Sequence, residues 1–217
     1  MTAVMGSPRV RKEDPALLTG ENKFVDDIQV AGQLWMGMVR SPFAHAKING
    51  INTEPAKGMP GVHAVYSGAE LMDMGLWAGP LPCAWPVTPD MVNPPHYPVA
   101  SGEVHHVGEI VAVVLADSRY EAADAAEMVE VDYDALDAVG SIDAAMADGT
   151  KAHSDLESNK AFTWALEPNP DGVNAAFDGA AHTVTGEFIQ QRLIPSAMEP
   201  RGVLAVPSPH GGDITMY

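Results

Sequence analysis

The stretch from Glu109 to Tyr133 constrains the fold more than any other part of the chain. It opens with EIVAVVLA, Glu109 to Ala116, a continuous apolar run of the length of one strand. A strand that shows apolar side chains on both faces is buried on both faces, so this run belongs inside a layered domain. Ser118-Arg119-Tyr120-Glu121 follows, a capping box in which Ser118 caps a helix and Glu121 reaches back. Ala122, Ala123, Ala126 and Met128 extend that helix to about Val129. Val129, Val131 and Tyr133 then alternate with charged residues and predict a second strand. Strand, helix and strand in immediate succession make a mixed helix–sheet domain, of the α+β class.

The remaining elements are shorter. Residues 1 to about 16 read as a tail of mixed charge. In LLTGENKFVDDI, the turn formers Gly20, Asn22 and Asp26-Asp27 surround a short apolar pair, Phe24-Val25. Gly32 to Arg40 alternates as a strand with Leu34, Met36 and Met38 on one face, ended by Ser41-Pro42. Gly61 to Tyr66 is a further strand candidate, followed by a short helix from about Ala69 to Met74. Leu76 to Pro98, rich in Pro and Trp, reads as a long ordered loop. Ser141 caps a short helix ended by Gly149. Thr150 to Pro170 is polar and irregular, with Pro168-Asn169-Pro170 as punctuation and a domain boundary. Asp171 caps a helix through Ala175, Ala176, Phe177 and Ala180. His182 to Ile194 reads as a long strand, and Val203–Val206 with Asp213–Tyr217 as a hairpin around SPHGG. The second hairpin strand stops at the last residue, which predicts a truncated or split polypeptide.

Composition excludes several classes. With 12 Lys+Arg against 29 Asp+Glu the formal charge is -17, a field that repels phosphate backbones and anionic membranes. A hydrophobic content of 46 % with 19 % charged residues is that of a globular chain. The single cysteine, Cys83, excludes an intramolecular disulfide framework and a cysteine-held iron–sulfur cluster. There is no apolar leader near the N-terminus and no run of about 18 apolar residues. The expectation is a cytoplasmic protein without membrane insertion or nucleic-acid binding.

Nucleotide-binding, zinc-protease, Cys-x-x-Cys and nucleophile-elbow signatures are absent. His105 and His106 are adjacent, and neighbouring strand residues face opposite sides, so the two are poorly placed to chelate one metal. Asp132 and Asp134 share a strand face and read as a solvated surface, short of the oxygen ligands that calcium requires. Cys83 has no activating neighbour. The densest polar stretch is Gln190 to Val206, QQRLIPSAMEPRGVLAV. In extended chain, Glu199 and Arg201 point the same way across Pro200. That pattern suits either a structural ion pair or the wall of a polar cleft. No set of residues makes a catalytic constellation, and no metal ligands are assigned.

Three blocks, read together, carry a resemblance. RVRKEDPALLTGENKFVDDI, GQLWMGMVRSPFAHAKINGI and VGEIVAVVLADSRYEAADAAEMVEVDYDAL are similar to the start of the molybdopterin-binding large subunit of the molybdenum hydroxylases. That family comprises the xanthine dehydrogenases, aldehyde oxidases and aerobic carbon monoxide dehydrogenases. The similarity runs from about Arg9 to Tyr217. Ile110 departs from it where the family usually has Pro, as does Asp137.

The resemblance implies an N-terminal tail over residues 1–17, an α/β hammerhead domain over 18–135 and a linker over 136–170. The incomplete start of a molybdenum-cofactor-binding domain would then occupy 171–217. It places Gln191, Glu199 and Arg201 along the cleft on the approach to the cofactor. The family's glutamine near the metal, its Gly-rich loop with Phe and its base glutamate fall beyond Tyr217, so no catalytic residue transfers. The implied activity is hydroxylation of an aldehyde or N-heterocycle, or oxidation of carbon monoxide, with oxygen derived from water. It requires the molybdenum cofactor (molybdopterin), held by the complete subunit and not by this chain alone. The implied partners are the remainder of the large subunit and the iron–sulfur and FAD-binding subunits, in a dimer of heterotrimers. Two other readings stand beside this one. The chain could be a free-standing hammerhead scaffold or assembly module. A metal hydrolase built on His105, His106 and the aspartate pair is opposed by the strand geometry.

Overall fold

The computed structural model describes residues 5–6, 8, 10–75, 79–85, 87–166, 170–197 and 199–217. In chain order the helices are α1 (Asp14–Thr19), α2 (Glu54–Lys57), α3 (Gly68–Asp73), α4 (Arg119–Glu127), α5 (Ile142–Ala147) and α6 (Pro170–Asp178), with a 3₁₀ turn at Val25–Asp27. The strands are β1 (Trp35–Arg40), β2 (Ala46–Asn52), β3 (Val62–Ser67), β4 (Glu103–Val104), β5 (Ile110–Ala116), β6 (Glu130–Ala135), β7 (Ala205–Pro207) and β8 (Ile214–Met216). They form two compact units, residues 34–183 and residues 1–33 with 184–217.

The larger unit is organised around β5. It lies between β1 and β3, antiparallel to both, with Met38 opposite Val113 and Val65 opposite Val114. Val111, Ala112, Val114 and Ala116 are fully buried, whereas Val113 and Leu115 on the face of Val111 are only partly so, which falls short of the burial on both faces that the run predicts. Ser118 caps α4: its hydroxyl accepts from the Glu121 backbone N–H at 3.2 Å and donates to the Glu121 carboxylate at 2.7 Å. Ala122 and Ala125 face inward, and α4 approaches β1 so closely that a Cβ on Gly37 would stand 2.4 Å from the Ala122 carbonyl oxygen. Only glycine fits there. The Arg119 guanidinium covers the Trp35 ring at 4.3 Å. A second antiparallel sheet, β4-β2-β6, closes the domain, with the inward residues Ile48, Ile51, Val131 and Tyr133 packed on the shared core.

Several expectations shift. Leu34, Met36 and Met38 are the outer face of β1, and the inner side is Trp35, Gly37 and Val39, because α4 selects the side that carries the glycine. β2 and α2 are elements that alternation did not mark: AKINGIN is half polar and broken by a bulge between Ile48 and Gly50. The helix capped by Ser141 ends at Asp148, in the left-handed region at φ 55°, rather than at Gly149. The Pro168-Asn169 breaker lies outside the described residues. The 79–98 loop contains no helix or strand among its described residues.

In the smaller unit β7 and β8 pair as the expected hairpin, with Val206 opposite Thr215. The long strand expected over His182–Ile194 is not present. A strand exists only when another chain segment satisfies its N–H and C=O groups. No segment among the described residues pairs with this one, and Val184, Phe188, Ile189, Leu193 and Ile194 stay exposed.

Candidate functional site

Gln191, Glu199 and Arg201 are all exposed, and Glu199 and Arg201 form no ion pair with each other among the described residues. The side chains that do converge lie in the larger unit, where the ends of the second sheet collect three histidines and two glutamates. His45 precedes β2 directly. The preceding corner is tied by Ser41, whose N–H donates to the Glu109 carbonyl at 2.8 Å, and by the Phe43 N–H, which donates to the Ser41 hydroxyl at 3.0 Å. Antiparallel pairing of β2 with β4 brings Glu103 and His105 alongside, and the start of β5 adds Glu109.

His45 is 6 % exposed; its Nε2 lies 2.7 Å from Glu103 Oε1 and its Nδ1 2.8 Å from the Asp137 carbonyl oxygen. Both partners are acceptors, so both bonds are complete only with a proton on each ring nitrogen. Glu103 Oε1 also accepts from the Ser154 N–H at 3.2 Å and lies 3.3 Å from His105 Nε2. The His105 ring stacks on His153 with centroids 4.0 Å apart, and on its other neighbour His45 at 5.9 Å. Glu109, buried, accepts from the His105 backbone N–H at 2.6 Å, with the rings of His106 and His105 at 3.4 and 3.8 Å. Glu103, His105, Glu109 and His153, with Lys47, Tyr97 and Asp155, line a cavity of about 300 Å³.

Protonation equilibria in the cluster diverge. Burial opposes the charge of Glu103, but the bonds from His45 and Ser154 and the nearby His105 outweigh it and hold the carboxyl below its ordinary value. Burial also works against Glu109, and His105 and His106 overcome it and lower that carboxyl too. Glu109 raises His105 above its ordinary value despite burial, helped by Glu103 and Asp155. Burial lowers His153, and the His105 charge lowers it further, against the pull of Asp155, Glu103 and Glu109. Of the two stacked imidazoles, His105 therefore takes up a proton more readily than an ordinary histidine and His153 less readily. Stacked rings present faces, not converging lone pairs, and among the described residues no group of three His, Cys, Asp or Glu is placed to hold a metal ion.

His106 is 59 % exposed against 23 % for His105, but both rings approach the same Glu109 oxygen, because the pair lies past the end of β4, where strand alternation no longer holds. Asp132 and Asp134 are on the exposed face of β6. Cys83 is a free, half-buried thiol. Sequence reasoning missed His45, Glu103, Glu109 and His153 as a set. Glu103 and His105 are two apart and share a face, a signal that was legible; His45 and His153 come from far along the chain and carried none.

A pterin cofactor needs an enclosing wall of donors. Gln191, Glu199 and Arg201 stand exposed and the described cavity does not include them, so these residues do not by themselves form a pocket that fits the group.

A two-sheet α/β domain with β5 and α4 at its centre defines the class, and comparison with known proteins states the family. Residues 19–137 match the aldehyde oxidase and xanthine dehydrogenase a/b hammerhead domain. The chain belongs to that family. It is 35 % identical over 219 aligned residues to the carbon monoxide dehydrogenase large chain of Hydrogenophaga pseudoflava, covering 95 % of this chain and 26 % of the relative. It is 34 % identical to the nicotine 6-hydroxylase large subunit of Paenarthrobacter nicotinovorans, covering 93 % of this chain and 24 % of that subunit. Among solved structures, a Cu,Mo-CO dehydrogenase in its carbon monoxide reduced state superposes with a TM-score of 0.63 at 30 % identity, over 82 % of this chain and 23 % of that one. The chain thus spans about a quarter of the length of the curated relatives it matches. Among the described residues no helix is long and apolar enough to cross a membrane.

Proposed function

We propose that the chain is the N-terminal portion of a molybdenum hydroxylase large subunit. Residues 1–17 are its tail, 18–135 its hammerhead domain, 136–170 a linker and 171–217 the incomplete start of the molybdenum-cofactor-binding domain. The complete subunit hydroxylates an aldehyde or an N-heterocycle, or oxidises carbon monoxide, with water-derived oxygen; this chain alone is inactive. It works in the cytoplasm with the remainder of the subunit and with iron–sulfur and FAD-binding subunits. The observation that carries this reading is the coverage: 95 % of this chain aligns with a carbon monoxide dehydrogenase large chain, of which it spans 26 %.

In this reading the chain supplies a folded platform, and the remainder of the subunit supplies the reacting groups. Gln191, Glu199 and Arg201 become cleft-lining only when the rest of the subunit closes around them, with Glu199 and Arg201 bracing the wall. Metal and pterin analysis of the purified 217-residue chain should find essentially no cofactor. Stoichiometric molybdenum in the isolated chain would sink the reading. In the complete subunit, Glu199→Ala should reduce molybdenum content while turnover per bound molybdenum is retained. Full metal content with collapsed turnover would instead place Glu199 at the reacting centre.

A further inference from the structure

The chain that leaves β6 makes an excursion before it continues to α6, and both ends of that excursion return to the same cluster. At the near end the Asp137 carbonyl bonds the His45 ring, and at the far end the Ser154 N–H donates to Glu103 while His153 stacks on His105. Between these points no described side chain is buried; Ile142 and Met146 on α5 are 69 % and 80 % exposed. The excursion instead holds itself together through Asn159. The Asn159 amide N–H donates to the Asp148 carboxylate at 2.7 Å, its side chain donates to the Thr150 carbonyl at 2.7 Å, and its side-chain oxygen accepts from the Ala152 N–H at 2.9 Å. Lys151 pairs with Asp148 at 2.9 Å. With no fully buried side chain of its own, the segment meets the second sheet through this clasp. Beyond Asn159, the Ala161 carbonyl accepts from the Val92 N–H, which ties the segment to the proline-rich loop and not to a sheet.

We propose that the far end of this arm, residues 150–155, is a proton-gated clasp, held to the second sheet by His153 on His105 and by the Ser154 N–H on Glu103 at neutral pH and released from it as the pH falls.

The gating group is His153, the ring that the arm itself brings. It faces His105 and Glu103 from the β4 end and Glu109 from the start of β5. Asp155 faces it from its own segment, and Lys47 of β2 and Tyr97 of the proline-rich loop share the cavity wall. The sign follows from the direction of its shift. In the clasped state His153 is held below its ordinary value of 6.5, so the released arm binds a proton more readily. The clasp is therefore intact above about pH 6.5 and weakens as pH falls from there toward the lowered value. His105, raised by Glu109, is already charged in that range, and a second charge on the stacked ring repels it. Glu103 and Glu109 are lowered from 4.5, so their share of the clasp is lost only at more acidic pH.

Amide hydrogen exchange on the full chain between pH 5 and 7.5, corrected for intrinsic exchange, tests the proposal. Protection at Ser154, whose N–H donates across to Glu103, should fall as pH drops below about 6.5, by up to tenfold per pH unit for one linked proton. Protection along β5 should hold over the same range. His153→Gln should flatten the dependence in the arm, whereas His63→Gln, on β3 and paired with Asp117 away from the cluster, should leave it unchanged. Three results would overturn the proposal: arm protection independent of pH, an unaltered pH dependence in His153→Gln, or loss of β5 protection in parallel with the arm.

Discussion

Two regions that both read as strands in the sequence meet opposite environments. β5 pairs on both edges and buries Val111 and Val114 completely, whereas Val184, Phe188 and Ile194, within His182–Ile194, are each about nine-tenths exposed. The difference is partnership. β5 has β1 and β3 to take its backbone groups and α4 to cover one face, so Val111 and Val114 each gain about 1.5–3 kcal/mol from burial. Nothing among the described residues pairs with the later segment, and unpaired chain gains neither ladder bonds nor burial. Apolar character marks a segment that wants covering; it does not supply the cover.

That contrast can be broken by mutation. Gly37→Val should have the largest effect, because its Cβ would stand 2.4 Å from a backbone oxygen of α4 that cannot rotate away. Chemical denaturation should show a loss of about 3 kcal/mol, the upper end of overpacking costs; an unchanged midpoint would mean that α4 does not rest on β1. Val114→Ala removes two methyl-sized groups from a fully buried site and should cost about 2 kcal/mol in the same assay. Phe188→Ser in this chain should change stability by no more than about 0.5 kcal/mol, as for other exposed positions. A cost near that of Val114→Ala would show that residues 182–194 are covered after all, and would erase the distinction between the two regions.

Much of the larger unit was legible because its signals are local. The Ser118 cap and the double-sided run of β5 each depend on residues that are neighbours in sequence. β2 was not legible, since a strand with a bulge and polar insertions is recognised by its partners. The candidate cluster was half legible. Glu103 and His105 share a face by strand periodicity, but His45 reaches Glu103 across 58 positions and Asp137 across 92. The residues singled out in the polar stretch, Gln191, Glu199 and Arg201, are exposed, and no described contact brings them together.

By itself the sequence determined the family, the β5–α4–β6 centre and the hairpin of β7 and β8, since each rests on short-range pattern or on blocks of matching residues. Tertiary structure decided which face of β1 turns inward, whether an apolar segment becomes a strand, and which histidines meet which carboxylates. Those outcomes depend on what stands opposite a residue in space. Steric fit, ladder pairing and electrostatic contact act across distances that no local pattern records.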